Sequence, residues 1–424
     1  MKMRIILFSL LTIFALSPSV GFAQDNHGEG EKQEASHQEG DDHDTAEHGD
    51  ESGHGDGHEE EIPYVDRIIE HISDANEFHL WGDVSIPLPC IFYSFEDGFT
   101  FTSSKAFHHG HEAVAGYVLH HGDAKRIKDW DESMHVEHID HIEAKEVANA
   151  EGEMIEKYFA ISEGEEYELE KASTLLKFTS WIDFSITKVV FTMFMTAILL
   201  IFLWLGIAKT YRNREGKAPK GVQSFFEPFF EFMRDEVVKP SIGPKYERYM
   251  PFIMTLFFFI LFNNILGLVP IFPGSANVTG NLGVTLVLAF FTMVITNFSA
   301  NKDYWQHIFW MPGVPTPVRF ILAPVELAGV FIKPFTLLIR LFANITAGHV
   351  IILCLVGLVF ILGENGKNIG GAAAGGTIAV LFMFMMNLLE LLVAFIQAFI
   401  FALLSSLYIG MAIEEHHHDE EHAH

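Results

Sequence analysis

An arginine stands inside a long apolar stretch of this 424-residue chain. Arg340 lies within the segment from Phe335 to His349, and the residues that follow, from Val350 to Leu362, are all uncharged. A guanidinium keeps its charge in proteins, and placing one near the centre of a bilayer costs from about 3 to more than 10 kcal/mol. Arg340 therefore predicts a functional role that offsets this cost. The alternative is an arginine near a helix end whose side chain reaches the membrane surface.

Apolar and acidic residues lie in different parts of the chain. It is 49% hydrophobic with 40 Phe, yet its formal net charge is -28. Residues Asp25 to Pro63 hold fifteen acidic side chains and the single Lys32, which is half of that excess. This distribution indicates a membrane protein with a polar appendage, and the negative sign argues against a nucleic-acid partner.

The N-terminus resembles a secretory signal. Lys2 and Arg4 precede the apolar run from Ile5 to Leu16, and Gly21-Phe22-Ala23 offers a cleavage site. A run of about twelve residues is too short to cross about 30 Å of hydrocarbon, so we predict a signal peptide over residues 1–23. The segment after it should lie outside the cytoplasm. With two cysteines in the chain, no disulfide framework is implied.

Residues 24–61 are low in complexity and contain six histidines among many carboxylates. They carry too few apolar groups to offset chain entropy, which predicts disorder. An alternative is buffering of divalent metal ions or protons by imidazole beside carboxylate, although the irregular spacing matches no defined metal site. The histidines are His27, His37, His43, His48, His54 and His58.

Residues 62–180 have a mixed pattern that predicts a small α+β module outside the membrane. Between Asp83 and Thr102, two β-rich runs flank the turn signal Asp97-Gly98. His138 and His141 are three residues apart, and we interpret them as surface residues of an exposed acidic helix.

Three apolar stretches have the length of ordinary membrane spans: Val189 to Ala208, Pro251 to Phe272 and Leu282 to Ala300. Nine Lys or Arg residues lie between Lys209 and Arg248, whereas Pro270 to Gly283 has no charged residue. The positive-inside rule places the first loop in the cytoplasm and the second outside. The N-terminal segment is then outside and the C-terminus cytoplasmic.

The last two apolar stretches are longer than a span. As helices, Leu322 to Leu362 and Thr377 to Ile413 would measure roughly 60 and 55 Å, so each must tilt steeply or break. Pro334 predicts one break, and the Gly-rich residues 363–376 predict a turn between antiparallel helices. The fold class is thus an all-α polytopic membrane protein with three ordinary spans and a long tilted hairpin. Such a hairpin presents a continuous side face to a neighbour.

Polar residues are spaced along this hairpin. Arg340 and Asn344 share one helix face, His349 points elsewhere, and Glu390 and Gln397 share a face of the second helix. A polar stripe on each helix is what a water-accessible path requires. The alternative for the two amides is hydrogen bonding between helices.

Several motifs, in this order and spacing, resemble the a subunits of F-type ATP synthases, the stator component of the membrane motor. The resemblance covers about Ser180 to His416. It is carried by Phe257 to Pro270, Glu326, Lys333-Pro334, Arg340-Leu-Phe-x-Asn344, Gly348-His349, Glu390, Gln397 to Phe401 and Met411 to His416.

The resemblance implies a role for each matching residue. Arg340 would be the central residue, facing the ring carboxylate of the c subunits. Polar neighbours and residues of two aqueous half-channels would be Asn344, Gln397, Glu326, His349, Glu390, Asn263 and Asn264. Some family members carry Glu and His where this chain has His349 and Glu390, and either order keeps one imidazole and one carboxylate.

The expected partners are the c-subunit ring, b-type stator subunits, the rest of the synthase and membrane lipid, with no cofactor and no bound metal. The subunit would carry protons or sodium ions in a bacterial inner membrane and would not be catalytic alone. The alternative function is a metal-ion transporter with a His-rich outside segment. The resulting division is 1–23 signal peptide, 24–61 disordered segment, 62–180 extracytoplasmic module, 181–413 membrane ion-channel domain and 414–424 cytoplasmic tail.

Overall fold

The computed structural model describes residues 74–81, 84–120, 122–134, 136–148, 154–174, 179–269, 272, 274, 276–311, 314–362 and 368–414. The predicted signal peptide, the His/acid-rich segment and most of the C-terminal tail lie outside these residues. The described chain forms a β module followed by a helical bundle, and the predicted class of polytopic helical membrane protein with a small preceding module is confirmed.

Ten strands and two 3₁₀ helices, Ser104–Gly110 and Glu132–Met134, build the described part of the β module. The strands pair antiparallel in three sheets with the orders β1-β2, β10-β3-β4 and β5-β6-β9-β8-β7. They are β1 Glu77–Trp81, β2 Val84–Pro87, β3 Pro89–Ser94, β4 Gly98–Ser103, β5 Tyr117–His120, β6 Asp123–Ile127, β7 His141–Ala148, β8 Met154–Ser162, β9 Glu165–Lys171 and β10 Trp181–Asp183.

The predicted turn at Asp97-Gly98 is confirmed. β3 and β4 form a hairpin in which Ser94 pairs with Gly98, and Gly98 has φ +82°, a conformation that glycine adopts without strain. The predicted acidic helix at His138 and His141 is wrong, because His138 forms an isolated bridge with Glu112 and His141 begins β7. All eight residues of β7 pair with β8, and this pairing between strands outweighs the helix-forming Glu and Lys residues.

Five helical segments are long and apolar enough to cross a membrane. They begin at Lys188, Val222, Leu282, Thr316 and Ala373, so the three ordinary spans and both long stretches are confirmed as helical, except that the second span ends at Gly267 and not at the predicted Phe272. The helices are α1 Lys188–Asn213, α2 Val222–Phe232, α3 Lys239–Ile242, α4 Tyr246–Gly267, α5 Leu282–Ser299, α6 Lys302–Phe309, α7 Thr316–Leu362 and α8 Ile369–Ile413, with a π-helical turn Met233–Val238 before α3.

The long hairpin consists of α7 and α8, of 47 and 45 residues. The predicted break at Pro334 is wrong, since α7 continues through both Pro324 and Pro334. A proline removes one backbone hydrogen bond, and apolar helices tolerate this where neighbouring elements pack against the site. Each helix is roughly 70 Å long, about twice the hydrocarbon thickness, so an uninterrupted helix must cross at a tilt.

The core of the bundle is α4, most of whose residues are buried by α1 and by the second half of α8. By contrast, α7 and α8 contact each other but leave large apolar side chains exposed along much of their length, among them Phe331, Phe335, Phe384 and Leu388. The hairpin therefore has an open apolar face, as its sequence predicts.

The β module is fastened to the beginning of α1. The backbone N–H groups of Val189 and Lys188 donate to Asp74 Oδ1 (3.1 Å) and to the Ala75 carbonyl oxygen (2.8 Å). Burial raises the pKa of Asp74 to about 6, against the opposing effect of its hydrogen bond with Thr187. β10 extends the module's sheet three residues past the predicted boundary at residue 180 and leads directly into α1.

Candidate functional site

Arg340 lies half-buried on α7, beside the open face of the hairpin. Asn344, one turn further along, is exposed, and so are the apolar side chains of Phe335 and Ile339. The helix thus places a permanent cation and an amide at the edge of a surface that is otherwise apolar. This agrees with the prediction that Arg340 and Asn344 share a face.

His349 and Glu390 meet where α7 packs against α8. The Nε2 atom of His349 lies 3.9 Å from Oε1 of Glu390, whose side chain is 3% exposed. Neither carboxylate oxygen has a hydrogen-bond partner among the described residues. A buried, poorly satisfied carboxyl group is costly, and such groups concentrate at functional sites. At 3.9 Å, the imidazole and the carboxyl group are neighbours, but they lie beyond direct hydrogen-bond distance.

Gln397 is level with Arg340 across the hairpin. Because Gly348 contacts Glu390 and the helices run antiparallel with equal rise, Gln397 lies about level with Leu341. The same register places Val330 beside Tyr408, and both line one cleft. Gln397 is also buried. The helix register agrees with the predicted grouping of Gln397 with Arg340.

The two asparagines of α4 lie at the end of the bundle that carries the β module, here called the module end. Asn263 Oδ1 accepts from Thr196 Oγ1 of α1 (3.1 Å), and its Nδ2 donates to the Phe259 carbonyl oxygen. Asn264 Nδ2 donates to the Ala394 carbonyl oxygen of α8 (3.1 Å) and Oδ1 accepts from Thr279 Oγ1. Both side chains are thus fixed by three neighbouring elements.

His349 belongs to the same end of the bundle. A Cβ atom on Gly267, near the end of α4, would lie 3.8 Å from His349 Nε2. One polar cluster, which we call the module-end cluster, therefore comprises Asn263, Asn264, Thr196, Thr279, His349 and Glu390.

A second group of polar residues lines a cleft toward the opposite end, between α5, α6, α7 and α8. Lys333 Nζ lies 5.8 Å from the ring centroid of Tyr408. Thr296 Oγ1 and Asn297 Oδ1 are buried there without a hydrogen-bond partner among the described residues. We call this the opposite-end cleft, and its polar lining residues are Thr292, Thr296, Asn297, Tyr304, Lys333 and Tyr408.

Glu326 lies near this cleft, two turns of α7 before Lys333, and lines a smaller one with His307 and Arg319. Along the axis of α7, Arg340 is about 10 Å from Lys333 and about 14 Å from His349. The predicted residues are therefore not one cluster. They form two groups at different depths, with Arg340, Asn344 and Gln397 between them.

Several residues of both groups were not predicted from the sequence. Thr196, Thr292 and Thr296 stand in apolar helices, where threonine commonly bonds to its own backbone, and Thr279 stands in the loop between α4 and α5, so none gives a signal of its own. Lys333 belongs to the Lys333-Pro334 motif, but the sequence did not predict a role for this residue. Among the described residues, no group of three His, Cys, Asp or Glu side chains is placed to hold a metal ion.

Gly348 gives a direct test of the Glu390 position. A Cβ atom at Gly348 would lie 2.8 Å from Glu390 Oε1 and 3.0 Å from Cδ, so Gly348→Ala must displace the carboxyl group. We expect ion transport to fall at least several-fold in membrane vesicles. Gly329→Ala is the matched control, since nothing lies within 4 Å of a Cβ there and alanine favours a helix. Equal transport by the two variants would contradict this placement.

Comparisons with known proteins agree with these features. A family model described as ATP synthase A chain matches residues 189–410, and one described as a domain of unknown function (DUF8433) matches residues 67–149. The chain is 43% identical over 247 residues to ATP synthase subunit a of Chloroherpeton thalassium, covering 57% of this chain and 71% of that protein. It is 41% identical over 253 residues to ATP synthase subunit a of Myxococcus xanthus, covering 57% and 78%.

The match begins one residue after α1 begins and ends three residues before α8 ends, so it covers the helical bundle and leaves out the β module. Family membership therefore rests on the part of the chain that contains Arg340 and both polar groups. The chain belongs to the ATP synthase A chain family.

Proposed function

We propose that this protein is the stator ion-channel subunit of a bacterial F-type ATP synthase. It would carry protons, or sodium ions, through two half-channels to and from the carboxylates of a c-subunit ring. One observation carries the proposal: the module-end cluster and the opposite-end cleft lie at different depths, and Arg340 stands between them beside the open face of the hairpin.

The chemistry follows from the fixed charge of Arg340. A ring carboxyl group crosses lipid in its neutral, ion-loaded form, because an isolated anion in hydrocarbon is too costly. Beside Arg340 the anionic form is stabilised, so the ion is released there. The same cation repels an ion that would pass directly between the two half-channels. Ions must then travel round with the ring, and each charge moved through 100 mV yields about 2.3 kcal/mol.

The polar groups would supply the two aqueous paths. His349 and Glu390, with Asn263 and Asn264, would line the path at the module end, while Glu326 would line the path at the other end. Gln397 and Asn344 would be polar neighbours of the arginine. Hydroxyl and amide groups at both ends offer hydrogen-bond partners for water, which a half-channel needs.

The proposed topology follows the charge pattern. The module would lie outside the cytoplasm after removal of residues 1–23, and the loop from Lys209 to Arg248 and the C-terminus would lie inside. Residues 181–413 would form the channel domain. Partners would be the c-subunit ring, which would pack on the open face of the hairpin, the b-type stator subunits and the rest of the synthase.

Affinity purification of the tagged protein from its own membranes, followed by a transport assay, tests this proposal. We expect a ring of small c subunits and the ATPase subunits to come out with it. Reconstituted vesicles should take up the coupling ion on ATP addition, and either acidification of the interior or uptake of sodium identifies that ion. Isolation of the chain alone or as a homo-oligomer, without ATP-driven transport, would refute the assignment.

We expect the His/acid-rich segment to be dispensable for rotation. Removal of residues 25–61 with the signal peptide kept should leave assembly and maximal transport near wild type, because the segment is too polar to pack. Its carboxylates would only concentrate cations near the channel mouth, an effect screened within about 10 Å at 0.1 M salt. Transport rates at low and high ionic strength measure this. A complex that fails to assemble would show that the segment is structural.

A further inference from the structure

One face of the three-stranded sheet in the β module is apolar and uncovered. Its residues alternate with the buried ones and form the aromatic face: Ile91, Tyr93, Phe99, Phe101, Ile182 and Phe184. Phe101 is 72% and Phe99 61% exposed. The other face of the sheet packs Cys90, Phe92 and Trp181 into the core.

The side chains of the aromatic face are arranged as a continuous layer. The Tyr93 and Phe99 ring centroids lie 4.7 Å apart, and Phe99 stacks on Phe101 at 5.9 Å. The hairpin turn beside them is fixed, because the buried Arg126 donates to Ser94 Oγ (2.6 Å) and to Asp97. None of the six residues is charged. A surface of this kind on a soluble module marks an interaction site.

The five-stranded sheet of the same module has a different outer surface. Lys145 pairs with Glu166 (2.6 Å), and Lys157 and Lys128 both pair with Glu168 (2.7 and 3.1 Å). Ion pairs of this type are typical of solvent-exposed surfaces and contribute little to stability. The module therefore has two different outer surfaces, a charged one on the five-stranded sheet and an aromatic one on the three-stranded sheet.

The aromatic face lies next to the membrane end of the module. Phe184 is four residues before the start of α1, so the chain can separate them by at most about 14 Å. It precedes a helix whose exposed side chains, such as Ile198 and Phe202, face lipid in a spanning orientation. The headgroup layer adds roughly 5 to 8 Å to each side of the hydrocarbon.

The module is also held in place against the bundle. Besides the hydrogen bonds to Asp74 and Ala75, the ring of Phe78 in β1 contacts those of Phe191 in α1 and Phe272 in the loop after α4, with centroids 5.6 and 5.2 Å apart. A module fixed in this way keeps its sheet at a constant distance from the bilayer.

We propose that the aromatic face lies in the interfacial layer of the membrane lipid at the module end and binds the β module to the bilayer surface. Aromatic side chains are enriched at this depth, and an apolar face without charge is what the lipid boundary accepts. The acidic module is repelled by anionic headgroups, so binding relies on apolar burial and should strengthen as added salt screens this repulsion. The proposal rests on membrane insertion of the helices and is independent of the ion path.

Photocrosslinking in the assembled complex tests this directly. Benzoylphenylalanine replaces Phe99 or Phe101, with Glu166 on the charged sheet as the control position. After irradiation of native membranes, we expect lipid adducts on the purified subunit at Phe99 and Phe101, several-fold above the Glu166 level. Lipid adducts at the control level, or adducts to another polypeptide at Phe101, would overturn the proposal.

A spin label provides a second readout that leaves the aromatic layer nearly intact. Phe101→Cys is labelled in a Cys354→Ser background, since Cys90 is buried and unreactive while Cys354 is exposed. In proteoliposomes of phosphatidylethanolamine and phosphatidylglycerol, the label should collide with oxygen more often than with a water-soluble nickel chelate. A collision ratio equal to that of labelled Glu166→Cys would place the face in water and overturn the proposal.

Discussion

Replacement of Arg340 by alanine is expected to abolish both ATP synthesis and ATP-driven ion pumping. The variant loses the cation that stands beside the open face between the two polar groups. Without it, no fixed positive charge stabilises the anionic form of a ring carboxyl group, so the group keeps its ion. Assembly should remain close to wild type, because the apolar packing of α7 on α8 is unchanged. Pumping in vesicles and subunit yield after purification measure the two effects.

Arg340→Lys should also pump poorly. An ammonium is a compact, strongly hydrated charge that loses its proton when desolvated, and it lacks the planar donor fork of a guanidinium. Lys220→Ala is a suitable control, since it removes one positive charge from an exposed loop far from the hairpin in sequence. Substantial pumping by an assembled Arg340→Ala enzyme would refute the role of this residue.

The sequence was informative where a residue conflicts with its surroundings. Arg340 and Glu390 conflict with the apolar stretches around them, and no packing argument explains either, so both could be named as candidate site residues before any geometry was known. The helical spans were predictable for a related reason, because lipid leaves the backbone few ways to satisfy its hydrogen bonds.

The sequence was less informative about features that depend on contacts between segments distant in sequence. The bond between Thr196 and Asn263 joins residues 67 positions apart, and that between Asn264 and Ala394 joins residues 130 apart. Contacts between residues so far apart in sequence leave no local pattern that could predict them. The continuity of α7 at Pro334 is a similar case, because the packing that tolerates a proline comes from other helices. The strand at His141 depends on pairing with β8.

The family resemblance explains the bundle and leaves the module unexplained. The match to the ATP synthase A chain begins at residue 189, while Asp74, Phe78 and the aromatic face all precede it. Asp74 and Phe78 nevertheless contact the start of α1 and the loop after α4, whose Thr279 bonds to Asn264. The module is therefore attached to the loop that contributes Thr279 to the module-end cluster.

Single replacements of His349 or Glu390 by alanine are expected to slow transport by about tenfold or more, as loss of a proton-transfer group commonly does. The two side chains are 3.9 Å apart on different helices, and both carboxylate oxygens of Glu390 lack a hydrogen-bond partner among the described residues. Removal of either one leaves the other without its proton-exchanging neighbour. Initial pumping rates in vesicles, corrected for the amount of assembled enzyme, give the size of each effect.

The exchange of the pair, His349→Glu with Glu390→His, should restore part of the lost rate, because a relay requires one imidazole and one carboxyl group but not a given order. Coupled residues in contact give non-additive effects, whereas unrelated ones add. Asn387→Ala is the matched control on α8, since Asn387 lies one turn before Glu390 but is exposed and bonds to its own backbone at Met383. If the double exchange shows the full sum of the two single losses, the residues serve unrelated roles, and the path at the module end must run through the α4 amides instead.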